Sequence, residues 1–167
     1  MAFLRDLPLL IIAAFILAWL LKTFIVQMFW IPSPSMEPTL YTGDRIFVNK
    51  FIYRFQDPRP GDIVVFISPF DSSKDFIKRM IATEGETIEI KSGRVFIDDK
   101  ELIEPYVKQG DLSNYGPVEV PSGHVFLMGD NRPNSYDSRF WGPLPEESVI
   151  GKAFMTYWPP KRIGLLR

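Results

Sequence analysis

The sequence predicts a mainly β fold, built of antiparallel sheets and preceded by one N-terminal transmembrane helix. Three observations carry this. Fifteen prolines and eleven glycines interrupt the chain too often for long helices and mark turns. Between them lie short runs such as Ile63-Val64-Val65-Phe66-Ile67 and Thr87-Ile88-Glu89-Ile90-Lys91, rich in β-branched residues. The third is Leu7–Leu21, an uncharged apolar run with no counterpart later in the chain.

The chain divides into a short tail (1–6), a transmembrane helix (7–30) and a β-rich domain (31–167). A spanning helix needs about 20 apolar residues. Leu7–Leu21 reaches that length if Lys22 snorkels and Phe24–Val26 is added. Pro8 suits a first helical turn and Trp30 an interfacial aromatic. A cleaved secretory signal is the alternative, but residues 22–31 lack the small residues two apart that cleavage requires. Arg5 precedes the run, while Lys22, Arg45, Lys50 and Arg54 follow it. The following domain is too long for the positive-inside rule to govern, so charge does not fix the side.

Ile31-Pro32-Ser33-Pro34-Ser35-Met36-Glu37-Pro38-Thr39-Leu40 follows directly. Pro32, Pro34 and Pro38 remove backbone donors, which excludes helix interior and central strand. Ser33 and Ser35 stand two residues apart on this stiff backbone. Ser35 is a candidate nucleophile with Ser33 as its helper; taken alone, the stretch reads more simply as a juxtamembrane linker.

Arg45–Lys50 reads as a strand after the turn Tyr41–Asp44. Phe51, Ile52, Tyr53 and Phe55 read as core, with a bilayer-facing surface as the alternative. Ile63–Ile67 is continuously apolar, so both its faces should be covered. Phe76–Ala82 as a strand puts Lys78 on one face with Phe76, Met80 and Ala82. Desolvation there would lower the amine from its usual pKa near 10.4 to ~8 and make Lys78 a candidate general base. An edge-strand lysine that blocks aggregation is the alternative. Thr87–Lys91 and Arg94–Ile97 form a hairpin around Ser92-Gly93. Residues 104–121 are polar and turn-rich and carry no assignable chemistry. His124–Met128 is a further strand, with His124 a surface residue. Gly129–Gly142 is dense in residues that bond their own backbone, as in a rigid loop, and Asp137 and Arg139 could pair. Gly151–Trp158 is the last strand.

Composition narrows the chemistry. A net charge of −1 and a pI of about 5.9 give no electrostatic footprint for nucleic acid. With no cysteine and a single histidine, disulfides, cysteine-zinc sites and multi-histidine metal sites are excluded. There is no G-x-S-x-G, S-x-x-K, H-E-x-x-H, P-loop or G-x-G-x-x-G. A serine served by a lysine or carboxylate is the activated nucleophile that remains, and Ser35 with Lys78 fits.

The stretches IPSPSMEPTL, GDIVVF, FIKRM and GDNRPNSYDSRFWG, in this order, resemble the signature of bacterial type I signal peptidases (leader peptidases). The resemblance implies a membrane-anchored serine endopeptidase that removes signal peptides from secretory preproteins, without a cofactor or metal. It implies a single-pass protein of the bacterial inner membrane with its catalytic domain on the extracytoplasmic side. By position it implies Ser35 as acyl-forming nucleophile and Lys78 as general base. Ser33 and the Ser35 N–H would be oxyanion donors, Ser135 would hold the Lys78 amine, and Asp137 with Arg139 would be a structural pair. Ile31, Pro32, Met36, Leu40, Phe76 and Ile77 would line shallow substrate pockets for small side chains at −1 and −3 from the cut. The implied fold has two antiparallel sheet modules, the smaller inserted at about 87–120. Pro34, Pro133 and Ala82–Glu86 depart from the usual family pattern without touching a catalytic position. A catalytically silent, anchored β domain that binds apolar peptides or lipid is the other reading, and a self-cleaving regulator of related fold a third.

Overall fold

In a computed structural model, which describes Leu7, Pro8, residues 10–16 and residues 26–166, the turn clusters deliver short strands in sequence. These are β1 (Val26–Trp30), β2 (Arg45–Asn49), β3 (Ile63–Ile67), β4 (Asp75–Thr83), β5 (Thr87–Lys91), β6 (Arg94–Ile97), β7 (Lys100–Glu101), β8 (Tyr115–Glu119), β9 (His124–Met128), β10 (Leu144–Pro145), β11 (Val149–Trp158) and β12 (Gly164–Leu165). One antiparallel sheet runs β1-β2-β11-β3-β4-β9-β10, with β12 on β11; a second runs β7-β6-β5-β8. The second sheet is the product of residues 87–119, between β4 and β9 of the first.

Leu7, Pro8 and residues 10–16 are helical, but no helix among the described residues is long and apolar enough to cross a membrane. Leu9 and residues 17–25, which the expected transmembrane helix includes, lie outside the described residues. Its last five residues need correction. Val26–Trp30 is not helix but strand β1, paired with β2 from Val26↔Asn49 to Trp30↔Arg45. Valine, phenylalanine and tryptophan are strand formers, and Phe29 packs on the core. A continuous apolar run cannot by itself register the change from helix to strand.

Burial explains the order of the sheet. β3 is covered on both faces: Ile63 and Val65 join a core with Ile31, Met36, Leu40 and Ile46, while Val64 and Phe66 join another with Met80, Val125 and Leu127. A third cluster, including Ile81, Ile88, Ile90, Val95 and Phe126, packs the two sheets together. Of the Phe51–Phe55 segment, Tyr53 packs half-buried against the core as expected, whereas Phe51 and Ile52 are half-buried outside it and Phe55 is 76% exposed. Its short 3-10 turn, Ile52–Arg54, is held by Asn49 Oδ1, which accepts from the N–H groups of Phe51 and Ile52.

Candidate active site

Three chain segments build the site. Past β1, Ile31 stays in register with the turn opposite: its N–H donates to Asp44 O at 2.9 Å and its carbonyl accepts from Gly43 at 2.8 Å. The proline-rich stretch then closes into a 3-10 turn, Pro34–Met36, that buries Ser35 and Met36. Arg162 braces the residues that follow this turn. It bonds Asp44 through Nε and Nη2 and donates to Thr39 O at 3.1 Å.

The second segment is β4, whose Lys78 sits opposite Val64 of β3. Its amine lies 2.9 Å from Ser35 Oγ and donates to Ile77 O at 3.0 Å. Lys78 is only 5% exposed. Burial is the dominant influence on the amine and pulls its pKa down to about 8, against the opposing fields of Asp137 and Asp130 and with some help from Arg139. Ser33 Oγ lies 3.4 Å from Ser35 Oγ.

The loop Gly129–Asp137 is the third. Asn131 N–H donates to Ser35 O at 3.1 Å and Asn131 Nδ2 to Pro34 O at 3.0 Å, which ties the loop to the Ser35 turn. Asp137 is fully buried, accepts from Gly129 N–H at 3.0 Å and pairs with Arg139 at 2.8 Å. Asp137 also caps the short helix Ser138–Trp141, accepting from Arg139 N–H. Ser135 is buried beside these groups, but its hydroxyl does not bond the Lys78 amine; among the described residues it has no hydrogen-bond partner.

A cleft of about 480 Å³ opens over Ser35 and Lys78, walled by Pro32, Ser33, Phe76, Ile77, Asn134 and Tyr136. Residues Asp75–Lys78 run past the end of β9, whose pairing with β4 begins at Arg79, so among the described residues this edge of β4 faces the cleft without a neighbouring strand. Of the residues expected to line substrate pockets, Pro32, Phe76 and Ile77 wall this cleft, and Ile31 borders a small adjoining hollow. Met36 and Leu40 do not: both are fully buried in the core beneath the turn, where their apolar side chains anchor it. A larger hollow, about 730 Å³, beside His124, Lys50 and Glu146 shares no lining residue with the cleft.

Arg79 and Asp130 escape a reading of the sequence by motif. Arg79 is 1% exposed and binds Asp130 through Nε at 2.9 Å and Nη2 at 2.8 Å, while Thr39 Oγ1 donates to Asp130 at 2.5 Å. The signal was there: an arginine inside an apolar strand has to find a carboxylate, and Asp130 follows the next buried strand.

The sequence matches the family described as signal peptidase, peptidase S26, over residues 4–158. It is 44% identical to a probable signal peptidase I-2 of Synechocystis sp. over 161 residues, spanning 93% of this chain and 73% of that protein. A probable signal peptidase I-1 of the same organism is also 44% identical, over 169 residues covering 97% of this chain and 86% of the other. A crystal structure of a signal peptidase I from Enterococcus faecalis superposes with a TM-score of 0.52 at 30% identity, over 58% of this chain and 97% of that one. The chain therefore belongs to the peptidase S26 family of signal peptidases, and is a serine peptidase of the signal peptidase I type.

Proposed function

We propose that this enzyme is a membrane-anchored endopeptidase that cleaves signal peptides from secretory preproteins through an acyl-enzyme on Ser35, with Lys78 as general base. The observation that carries the reading is the 2.9 Å approach of the Lys78 amine to Ser35 Oγ within a buried site. An amine with a pKa near 8 is about one-tenth neutral at pH 7, whereas an ordinary lysine is almost wholly charged.

The neutral amine takes the Ser35 proton as Oγ attacks the scissile carbonyl. The developing oxyanion is met by the Ser35 N–H and the Ser33 hydroxyl. The ammonium returns its proton to the leaving amine, and the signal peptide remains esterified to Ser35. The same amine then deprotonates a water that hydrolyses the ester. A turn of the Ser135 hydroxyl, which makes no hydrogen bond among the described residues, onto the Lys78 amine would hold that amine during these transfers. Asp137 and Arg139 keep the loop in place.

An extended preprotein segment adds to the free edge at Asp75–Lys78 as a further strand. Pro32, Phe76 and Ile77, with Ile31 nearby, form shallow apolar walls that suit small side chains at −1 and −3. The apolar run Leu7–Leu21 supports a single-pass anchor, ending before β1, in the inner membrane of a bacterium. The catalytic domain then faces the extracytoplasmic side, and the bilayer is its second partner.

Because only neutral Lys78 is a base, kcat/KM for a preprotein should climb about tenfold per pH unit below pH 8 and level off above it. Steady-state cleavage across that range checks this, and a flat profile contradicts it. Gly129 supplies a second test. A Cβ there would collide with the Ser135 side chain and the Ser35 carbonyl. Gly129→Ala should push the loop off the Ser35 turn and lower kcat by about 10²-fold, since displacements near 1 Å carry that cost. Its KM should change little, because Gly129 does not line the cleft.

A further inference from the structure

The segment 104–113 of the insert grips β4 and the residues that follow β9 at three points. Glu104 accepts from Arg132 through both carboxylate oxygens, at 2.9 and 2.5 Å, and from Tyr106 Oη at 2.8 Å. The Tyr106 ring lies against the Arg79 guanidinium, with the ring centroid 3.9 Å from Cζ. Asp111 pairs with Arg139 Nη1. The segment is in turn fastened to its own sheet: Gly93 N–H donates to Ser113 O at 2.9 Å, and Ser113 Oγ donates to Asp111 at 2.8 Å. Gly93 lets this approach happen, since any Cβ there would collide with the Asp111 carbonyl.

The three arginines pass the grip inward. Arg79 follows Lys78 in β4 and holds Asp130. Arg132 Nε donates to Gly129 O at 3.1 Å. Arg139 donates to Arg132 O at 2.8 Å and pairs with Asp137, which itself holds Gly129. The loop so held is the one that bonds Pro34 O and Ser35 O. Neither Glu104 nor Asp111 lines the cleft.

We propose that segment 104–113 is a clasp that sets the alignment of Ser35 with Lys78 from outside the site, with Glu104 and Asp111 as its positioning residues. The inserted sheet then does more than decorate the fold: it supplies the outer half of the catalytic loop's support. The proposal rests on the reading of Ser35 and Lys78 as the reacting pair. It predicts that cutting the clasp affects turnover and leaves substrate capture alone.

The test compares Glu104→Gln and Asp111→Asn with the unmodified full chain, using one preprotein substrate. Each variant keeps its side chain's size and loses the charge. Each should lower kcat about tenfold or more with KM held within about twofold. In Asp111→Asn the rise of kcat/KM with pH should also begin at lower pH. The charged groups acting on Lys78 are Asp137, Asp130 and Arg139, and an Arg139 released from Asp111 opposes the amine's charge more strongly. Asp111→Glu should recover part of the lost kcat. Wild-type kcat and an unmoved pH profile in both folded variants would overturn the clasp. So would a loss of activity that merely follows the folded fraction, measured by circular dichroism. If Lys78→Met cleaves normally, the reacting pair is wrong; if it is inactive and the clasp variants are not impaired, the clasp alone is wrong.

Discussion

Lys78→Met should lower preprotein cleavage by about 10³-fold or more while making the protein more stable at neutral pH. The loss follows from removing the one amine among the described residues within reach of Ser35 Oγ, leaving the hydroxyl to attack without a base. The gain follows from the same burial that tunes that amine. Folding lowers its pKa to about 8 from the ordinary lysine value that the unfolded chain retains. A difference of that size corresponds to about 3 kcal/mol, because each unit is worth about 1.4. Below pH 8 both states carry the charge, and the folded state bears the whole penalty. Between about pH 8 and 10.4 the unfolded state binds the extra proton, so wild-type stability rises with pH. Above that range the charge is gone from both. Methionine is uncharged throughout and of similar length. The variant should therefore unfold at higher urea concentration than wild type at pH 7, with the gap closing toward pH 10. Full cleavage by Lys78→Met would reject the dyad. A variant less stable than wild type at pH 7 would reject the account of the burial.

The largest loss of stability is expected from Arg79→Met, at about 3–5 kcal/mol. Arg79 and Asp130 are both about 1% exposed, and the guanidinium supplies two of the donors that make the buried carboxylate tolerable. Removing it leaves Asp130 in the interior with the Thr39 hydroxyl. Arg79 Nη1 also donates to Gly61 O at 2.9 Å, so the turn before β3 loses a partner too. Urea unfolding followed by circular dichroism measures the difference. Adding Asp130→Leu to Arg79→Met should restore part of it, because the cost lies in the stranded charge rather than in the absent pair. The double variant should still cleave poorly, since Asp130 lies between Gly129 and Asn131, which set the loop against Ser35.

What the sequence disclosed depended on whether the controlling contact was local. The hairpin around Ser92-Gly93 and the two-faced burial of Ile63–Ile67 follow from turn residues and periodicity, which are properties of neighbours. Ser35 and Lys78 stood out by their settings, one on a proline-stiffened turn and one in an apolar strand. That Val26–Trp30 is strand rather than helix depends on β2, some twenty residues later, so hydropathy alone could not reveal it. Met36 and Leu40 look like their pocket-lining neighbours in sequence, and only the 3-10 turn at Pro34–Met36 sends them inward. Glu104 and Asp111 lie in a stretch with no periodicity at all. Their partners, Arg132 and Arg139, lie 28 residues further on, and nothing local announces the pairing.

The bonds that join the three segments of the site span long stretches of chain: 43 residues from Ser35 to Lys78, 91 from Thr39 to Asp130 and 97 from Pro34 to Asn131. A centre wired this way has no partial form. Nascent chains still on the ribosome hold Ser35 without the rest of this frame. Pairing so remote in sequence is also slow to assemble. The site thus comes together late, as a property of the folded molecule.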